Sequence, residues 1–90
     1  MSKVVITVVG KDTIGIIAKV CTYLAENRIN ILDISQTIVQ DFFNMMMVVD
    51  MSSSEKPFDT VSRDLYAIGM DMGLRIRCQR EEIFDKMHRI

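Results

Sequence analysis

Residues 4–18, Val-Val-Ile-Thr-Val-Val-Gly-Lys-Asp-Thr-Ile-Gly-Ile-Ile-Ala, change their periodicity within one short stretch, and that change limits what the chain can fold into. Lys3 to Val9 is a short run rich in β-branched residues, which reads as a strand buried at least partly on both faces and therefore central in a sheet. Gly10 breaks the run. From about Thr13 the apolar residues Ile14, Ile17, Ala18, Cys21 and Leu24 recur at steps of three and four, predicting a helix that ends near Asn27 or Arg28. A strand that feeds a helix through a glycine-bearing turn leaves the first helical N–H groups without intrahelical partners, a setting that suits an anionic group.

The remaining chain supplies partners for that strand and helix. Asn30 to Gln40 alternates, with Leu32, Ile34 and Ile38 on one face and Asp33, Ser35 and Thr37 on the other; Gln36 inward and Val39 outward break the pattern. Asp41 marks a turn. Phe42 to Met51 then predicts a strand with Phe43, Met45, Met47 and Val49 inside and Asn44, Met46 and Val48 outside, antiparallel to its predecessor. The loop 52–57 offers a serine as helix N-cap, and its Pro57 is tolerated only in the first turn. Phe58, Val61, Leu65, Ile68 and Met72 follow at helical spacing, with Gly73 where a helix C-terminal glycine belongs. Leu74, Ile76 and Cys78 alternate with Arg75, Arg77 and Gln79, giving a strand with one apolar and one cationic face. Residues 81–89 read as a short terminal helix, with Ile83, Phe84 and Met87 on one side and charges that suit the helix dipole.

The order is β-α-β-β-α-β plus a terminal helix, the α+β pattern of the ferredoxin-like sandwich. Right-handed crossovers then require a four-stranded antiparallel sheet with both helices on one face. The opposite face would carry Val5, Thr7, Val9, Asn44, Met46, Val48, Arg75 and Arg77, apolar enough in its middle to suggest partial cover or contact with another copy. Ninety residues make one domain, with a core over 3–79 and the terminal helix after it.

That architecture hosts unrelated functions, so the sites decide. RNA binding of the stacking kind needs aromatics on the two central strands, where this chain has Val5, Thr7, Asn44 and Met46. The formal net charge of −1 gives no general attraction to nucleic acid or to an anionic membrane. Metal transfer needs a thiolate pair in the first strand–helix loop, which contains no sulfur, and no other metal-ligand spacing or cofactor motif is present. Cys21 and Cys78 lie inside apolar patterns and read as buried thiols of a reducing compartment. Alternation sends the members of Met45-Met46-Met47 to opposite faces, which reads as core packing. Arg75 and Arg77, near Arg80, read as a solvated strand face, with a phosphate or a partner carboxylate as the alternative. His88 has no catalytic companion, and no serine, cysteine or histidine grouping suggests an enzyme. The longest apolar run is far shorter than the ~20 residues of a membrane span and starts too close to the N-terminus for a usual signal peptide, which points to the cytoplasm.

The loop Asp12-Thr13-Ile14-Gly15-Ile16, taken with the apolar strand before it and with Asn30-Ile31 opening the second strand, resembles the ACT-domain family of small amino-acid-sensing regulatory modules. The resemblance covers Lys3 to Gln79 and is strongest to small stand-alone ACT proteins and to the ACT modules of glycine-cleavage repressors. It implies a homodimer whose ligand, an amino acid or related small molecule, binds where one subunit's first loop meets the second strand of its neighbour. Carried over by position, Lys11, Asp12, Thr13, Ile14, Gly15 and Ile16 would line the site: Asp12 would contact the ligand's amino group and Gly15 would let the ligand approach the backbone. Asn30 would hydrogen-bond from the strand. The family's proline in the loop is replaced by Ile14. Bland readings of the same residues stay open: a capping role for Asp12, close helix–sheet packing for Gly15 and a turn role for Asn30. A second reading of the whole chain is an adaptor that docks on a larger regulated protein.

Overall fold

The computed structural model describes residues 2–11 and 14–81. In chain order it has β1 (Lys3–Lys11), α1 (Ile16–Glu26), β2 (Asn30–Val39), β3 (Phe42–Asp50), α2 (Phe58–Asp71) and β4 (Leu74–Arg80). The strands form one sheet in the order β2-β3-β1-β4, and every neighbouring pair is antiparallel. This is the ferredoxin-like arrangement expected from the element order. Of the terminal helix expected over 81–89, all but Glu81 lies outside the described residues.

The core lies between the sheet and the two helices. Val4, Ile6 and Val8 of β1 meet Phe43, Met45, Met47 and Val49 of β3 and Leu74 and Ile76 of β4, all buried. The strand periodicity therefore assigns the inner faces of β1, β3 and β4 as expected, and the methionine run splits as alternation requires: Met45 and Met47 are inside, Met46 outside. Cys21 and Cys78 are free thiols, each half-buried.

Three local expectations need correction. The first concerns α1. The helix starts at Ile16, not near Thr13, and its buried stripe is Ile16, Val20 and Leu24. Ile14 is fully exposed and Ile17 is 38% exposed. The segment Ile14 to Leu24 is apolar on more than one helical face, so periodicity alone leaves the phase open; the direction in which the chain leaves β1 sets it. The helix closes as expected at Asn27. Arg28 N–H donates to Ala25 O at 3.1 Å and Ile29 N–H to Leu24 O at 2.9 Å, with Arg28 at φ 60. This is the paired bonding of a Schellman motif with arginine in the place usually taken by glycine.

The second concerns β2. Ile31 pairs with Val49 and Asp33 with Val48, so Leu32 is the extra residue of a β-bulge. The bulge shifts the alternation by one residue: Ile31, not Leu32, faces the core side with Ile34, Gln36 and Ile38. Nor is β2 the half-buried strand its pattern suggests. It lies at the sheet edge, and Leu32, Ile34, Ile38 and Val39 are 42%, 43%, 52% and 62% exposed.

The third concerns the start of α2. Its N-cap position is Pro57, in extended conformation, with no side-chain cap. Ser54 instead orders the loop, accepting from Lys56 N–H at 3.2 Å and donating to Lys56 O at 2.8 Å.

Helix α2 sits tightly on β4. A methyl group added at Gly69 would lie 2.8 Å from Ile76 Cγ1 and 3.0 Å from the backbone oxygen of Leu74. Gly69→Ala would gain about 1 kcal/mol of helix propensity but forces helix and strand apart, which typically costs ~1–3 kcal/mol. We expect a net loss of stability of up to about 2 kcal/mol and a fall in Tm of a few degrees, read by urea titration and calorimetry. An unchanged Tm would show that the α2–β4 contact yields freely.

Candidate functional site

The strand-to-helix junction that ends β1 lies over the inner face of the β2–β3 hairpin. Gly15 is the N-cap of α1 at φ 88, ψ 5, in the left-handed region. As a glycine it supplies no side-chain cap, and no acidic residue stands in the first helical turn, so among the described residues no side chain neutralises the helix start. The carbonyl of Gly15 accepts from Lys19 N–H at 2.9 Å. Beside this helix start, Gly15 to Ala18 on one side and Gln36, Ile38 and Phe43 on the other enclose a groove of about 290 Å³. Phe43 forms a buried apolar floor, and Gln36 brings an amide that donates and accepts.

The residues singled out in the sequence fall into separate places. Lys11 ends β1 opposite Phe42 and is exposed. Asp12 and Thr13 lie outside the described residues. Ile14 is fully exposed in the turn, Gly15 opens the groove, and Ile16 is a core residue at 2% exposure that lines the groove's inner wall. Asn30 is opposite Asp50, which in turn pairs with Lys3. Within one chain it is thus removed from Lys11 by the length of β1, roughly 27 Å of strand.

Among the described residues, nothing lies within 4 Å of a Cβ added at Gly15, so close helix–sheet packing is not what calls for glycine there. Its backbone conformation is what calls for glycine, and the open space beside it faces solvent.

Gln36, Ile38 and Phe43 join the site only through tertiary structure. The one sequence signal was Gln36 itself, a polar residue on the inward face of an alternating strand.

A second groove of about 460 Å³ runs along the outside of the helix layer, between α1 at Lys19, Thr22 and Glu26 and α2 at Ile68. Next to it Tyr23 ties the helices together: its hydroxyl donates to Asp64 Oδ2 at 2.6 Å, and Lys56 Nζ reaches the same oxygen at 3.1 Å while standing 5.4 Å from the ring centre. Partial burial, then the bond to Asp64, pushes the Tyr23 hydroxyl well above its ordinary range. The bonds from Tyr23 and Lys56 hold the Asp64 carboxyl below the usual carboxylate range. The cluster is fully partnered and has the character of a structural brace. No group of three or more histidine, cysteine or acidic side chains gathers at metal-binding distance among the described residues. Among the same residues, no helix is long and apolar enough to cross a membrane.

Comparison with known proteins gives a consistent picture. The sequence model of the ACT domain matches residues 2–79. A UPF0237 protein of Bifidobacterium longum is 60% identical over 90 residues, covering 100% of each chain. An ACT domain protein from Streptococcus pneumoniae superposes with a TM-score of 0.80 at 40% identity, over 93% of this chain and 94% of that one. A protein assigned as a glycine cleavage system transcriptional repressor superposes with a TM-score of 0.74 at 26% identity, over 88% of this chain and 45% of that one.

Two measurements follow from this geometry. Gly15→Ala should cost ~1–2 kcal/mol of stability through backbone strain alone, and Gly15→Asn less; equal effects from the two would mean that the left-handed conformation is not what selects glycine.

The second measurement is the pH dependence of stability. Burial pushes the Cys78 thiol from 9.0 to about 11, against a hydrogen bond with Ser62. A raised folded value means full stability below pH 9 and a loss as pH rises toward 11, on the order of 2 kcal/mol. Cys78→Ala should flatten that slope in urea titrations, and Tyr23→Phe should flatten the part above pH 10. At the acid end Asp64 and Asp50, the latter held by bonds from Ser52, lie below 3.8. Their contribution is present above pH 4 and is lost as pH falls through the folded values.

Proposed function

Because the chain belongs to the ACT-domain family of regulatory ligand-binding modules, we propose that it is a non-catalytic homodimeric sensor that binds an amino acid or related small ligand at the dimer interface. One observation carries this reading: the start of α1, where Gly15 supplies no side-chain cap, opens into a groove whose other wall, Gln36 and Ile38, belongs to a strand that is at the sheet edge among the described residues. A volume of about 290 Å³ is at the low end of small-ligand sites, which span ~300–1,000 Å³. A zwitterion of amino-acid size matches it. Its carboxylate would be held at the N–H groups of the first turn of α1, where the helix dipole favours negative charge. A carboxylate at Asp12 would attract the ammonium and repel a phosphate dianion, and the roles of Lys11, Asp12, Thr13, Ile14, Gly15 and Ile16 as ligand contacts are part of this proposal.

The sheet register supports the inter-subunit half of the reading. If two β2 edges pair antiparallel about Gln36, Ile34 of each copy lies opposite Ile38 of the other, and Asn30 lies past Val39 of the partner subunit, toward the end of the partner's sheet at which β1 gives way to the first loop. The pairing also removes apolar surface from water at Ile34 and Ile38, which one chain leaves 43% and 52% exposed.

Sedimentation and calorimetry test both halves together. The protein should sediment as a dimer and release or absorb heat with at least one of the twenty amino acids below millimolar concentration. The double variant Ile34→Asp, Ile38→Asp should sediment as a monomer and lose that heat, while Asn30→Ala should stay dimeric and bind at least fivefold more weakly, about 1 kcal/mol. A wild-type monomer, or a dimer silent to all twenty, would defeat the proposal.

A further inference from the structure

The groove beside the start of α1 has its polar and apolar groups in different places. Phe43 and Ile16, 3% and 2% exposed, form its floor. Ile38 stands directly opposite Phe43 in the β2–β3 ladder, so the two side chains make one continuous apolar wall. Ile17 and Ala18 line the groove from the helix side. None of the described lining residues is charged, and the polar side chain among them is that of Gln36, exposed at the rim on the strand side.

This segregation bears on how a zwitterion lies in the groove. Among the described residues, its polar partners are the Gln36 amide and the N–H groups of the first turn of α1, which have no intrahelical acceptor. With the α-carboxylate held there, the substituent on the α-carbon is directed over Ile38 and Phe43. A hydroxyl, amide or charged side chain laid on that wall gives up water without gaining a partner, whereas an aliphatic one removes apolar surface from water. A groove of about 290 Å³, at the low end of the ~300–1,000 Å³ of small-ligand sites, favours a compact side chain over a ring system. Pairing of two β2 edges would extend the same wall, since Ile34 of the partner subunit then lies beside Ile38 on the same sheet face.

We infer that the ligand of this groove is an amino acid with a branched aliphatic side chain, namely valine, leucine or isoleucine, and that Ile17 and Ala18 set this selectivity from the helix side. The inference rests on the sensor reading above and adds to it the class of ligand.

Calorimetric titration of the wild-type chain with each of the twenty amino acids, the weak ones by competition against the tightest, tests it. Each methylene laid on the wall should tighten binding about fourfold, so leucine should bind at least about tenfold more tightly than alanine, and serine, aspartate and lysine no better than alanine. Ala18→Leu fills the groove from the helix and should weaken leucine at least about tenfold while changing alanine less. Ile17→Ser removes part of the wall and should lower the leucine-to-alanine ratio about threefold or more. Both positions are exposed on α1, and the second variant gives the reading if circular dichroism shows the first to be unfolded. Tightest binding by a polar, charged or aromatic amino acid, or a leucine-to-alanine ratio that neither substitution moves, would overturn the inference and leave the sensor reading standing. Silence toward all twenty would defeat the sensor reading, and this inference with it.

Discussion

Everything in this molecule depends on β1 being hydrogen-bonded on both sides. It pairs with β3 from Lys3 to Lys11 and with β4 from Val4 to Gly10, and its residues Val4, Ile6 and Val8 sit at the middle of the core. A strand paired on both sides satisfies its backbone donors and acceptors without water, which is what allows so apolar a run to be buried. The same pairing fixes where the chain must leave the sheet. β1 ends beside Phe42 and Leu74, and the start of α1 is set beside β2 and β3, over Gln36, Ile38 and Phe43.

The two halves of the fold, each a strand, a helix and a returning strand, do not pack alike. Helix α2 closes on β4 until there is no room for a methyl group at Gly69. Helix α1 buries Ile16, Val20 and Leu24 but leaves the inner face of β2 uncovered toward its end. The difference matters because a small domain has little apolar area to spare. Ile34 and Ile38 on the edge strand stay 43% and 52% exposed, apolar area that the single chain leaves in water. At the other edge, the exposed arginines Arg75 and Arg77 alternate with Leu74 and Ile76, which are buried.

Polar groups serve as fasteners in this core more than as chemistry. Tyr23, Asp64 and Lys56 join α1 to α2 with each donor matched to an acceptor, and the buried Asn27 amide donates to Tyr23 O at 2.9 Å. No buried side-chain nitrogen or oxygen among the described residues lacks a partner. Among the described residues, non-glycine backbone in the left-handed region occurs at Arg28, after α1, and at Gln40, in the turn between β2 and β3.

How much of this could be read from the chain follows from the range of each interaction. Alternation at Phe43 to Val49 and at Leu74 to Cys78, and the stripe from Phe58 to Met72, are local consequences of period two and period 3.6, and they determined the element order, the inner faces and, through the handedness of crossovers, the topology. The loop from Lys11 to Ile16 stood out for the same reason, since a change of period marks a strand–helix junction. What the chain could not reveal was anything set by a neighbour distant in sequence. The phase of α1 depended on how the chain leaves β1, so Ile14 was placed inside and is outside. The bulge at Leu32 depended on pairing with Val48 and Val49, and the exposure of β2 on its being at an edge. Gln36, Ile38 and Phe43 join Gly15 in one groove only because β2 and β3 fold beneath α1. Asn30 lies outside that groove in the single chain, because its distance from Lys11 is the length of a strand and no local rule shortens it. Periodicity is a property of neighbours along the chain, whereas a binding site is made by neighbours in space.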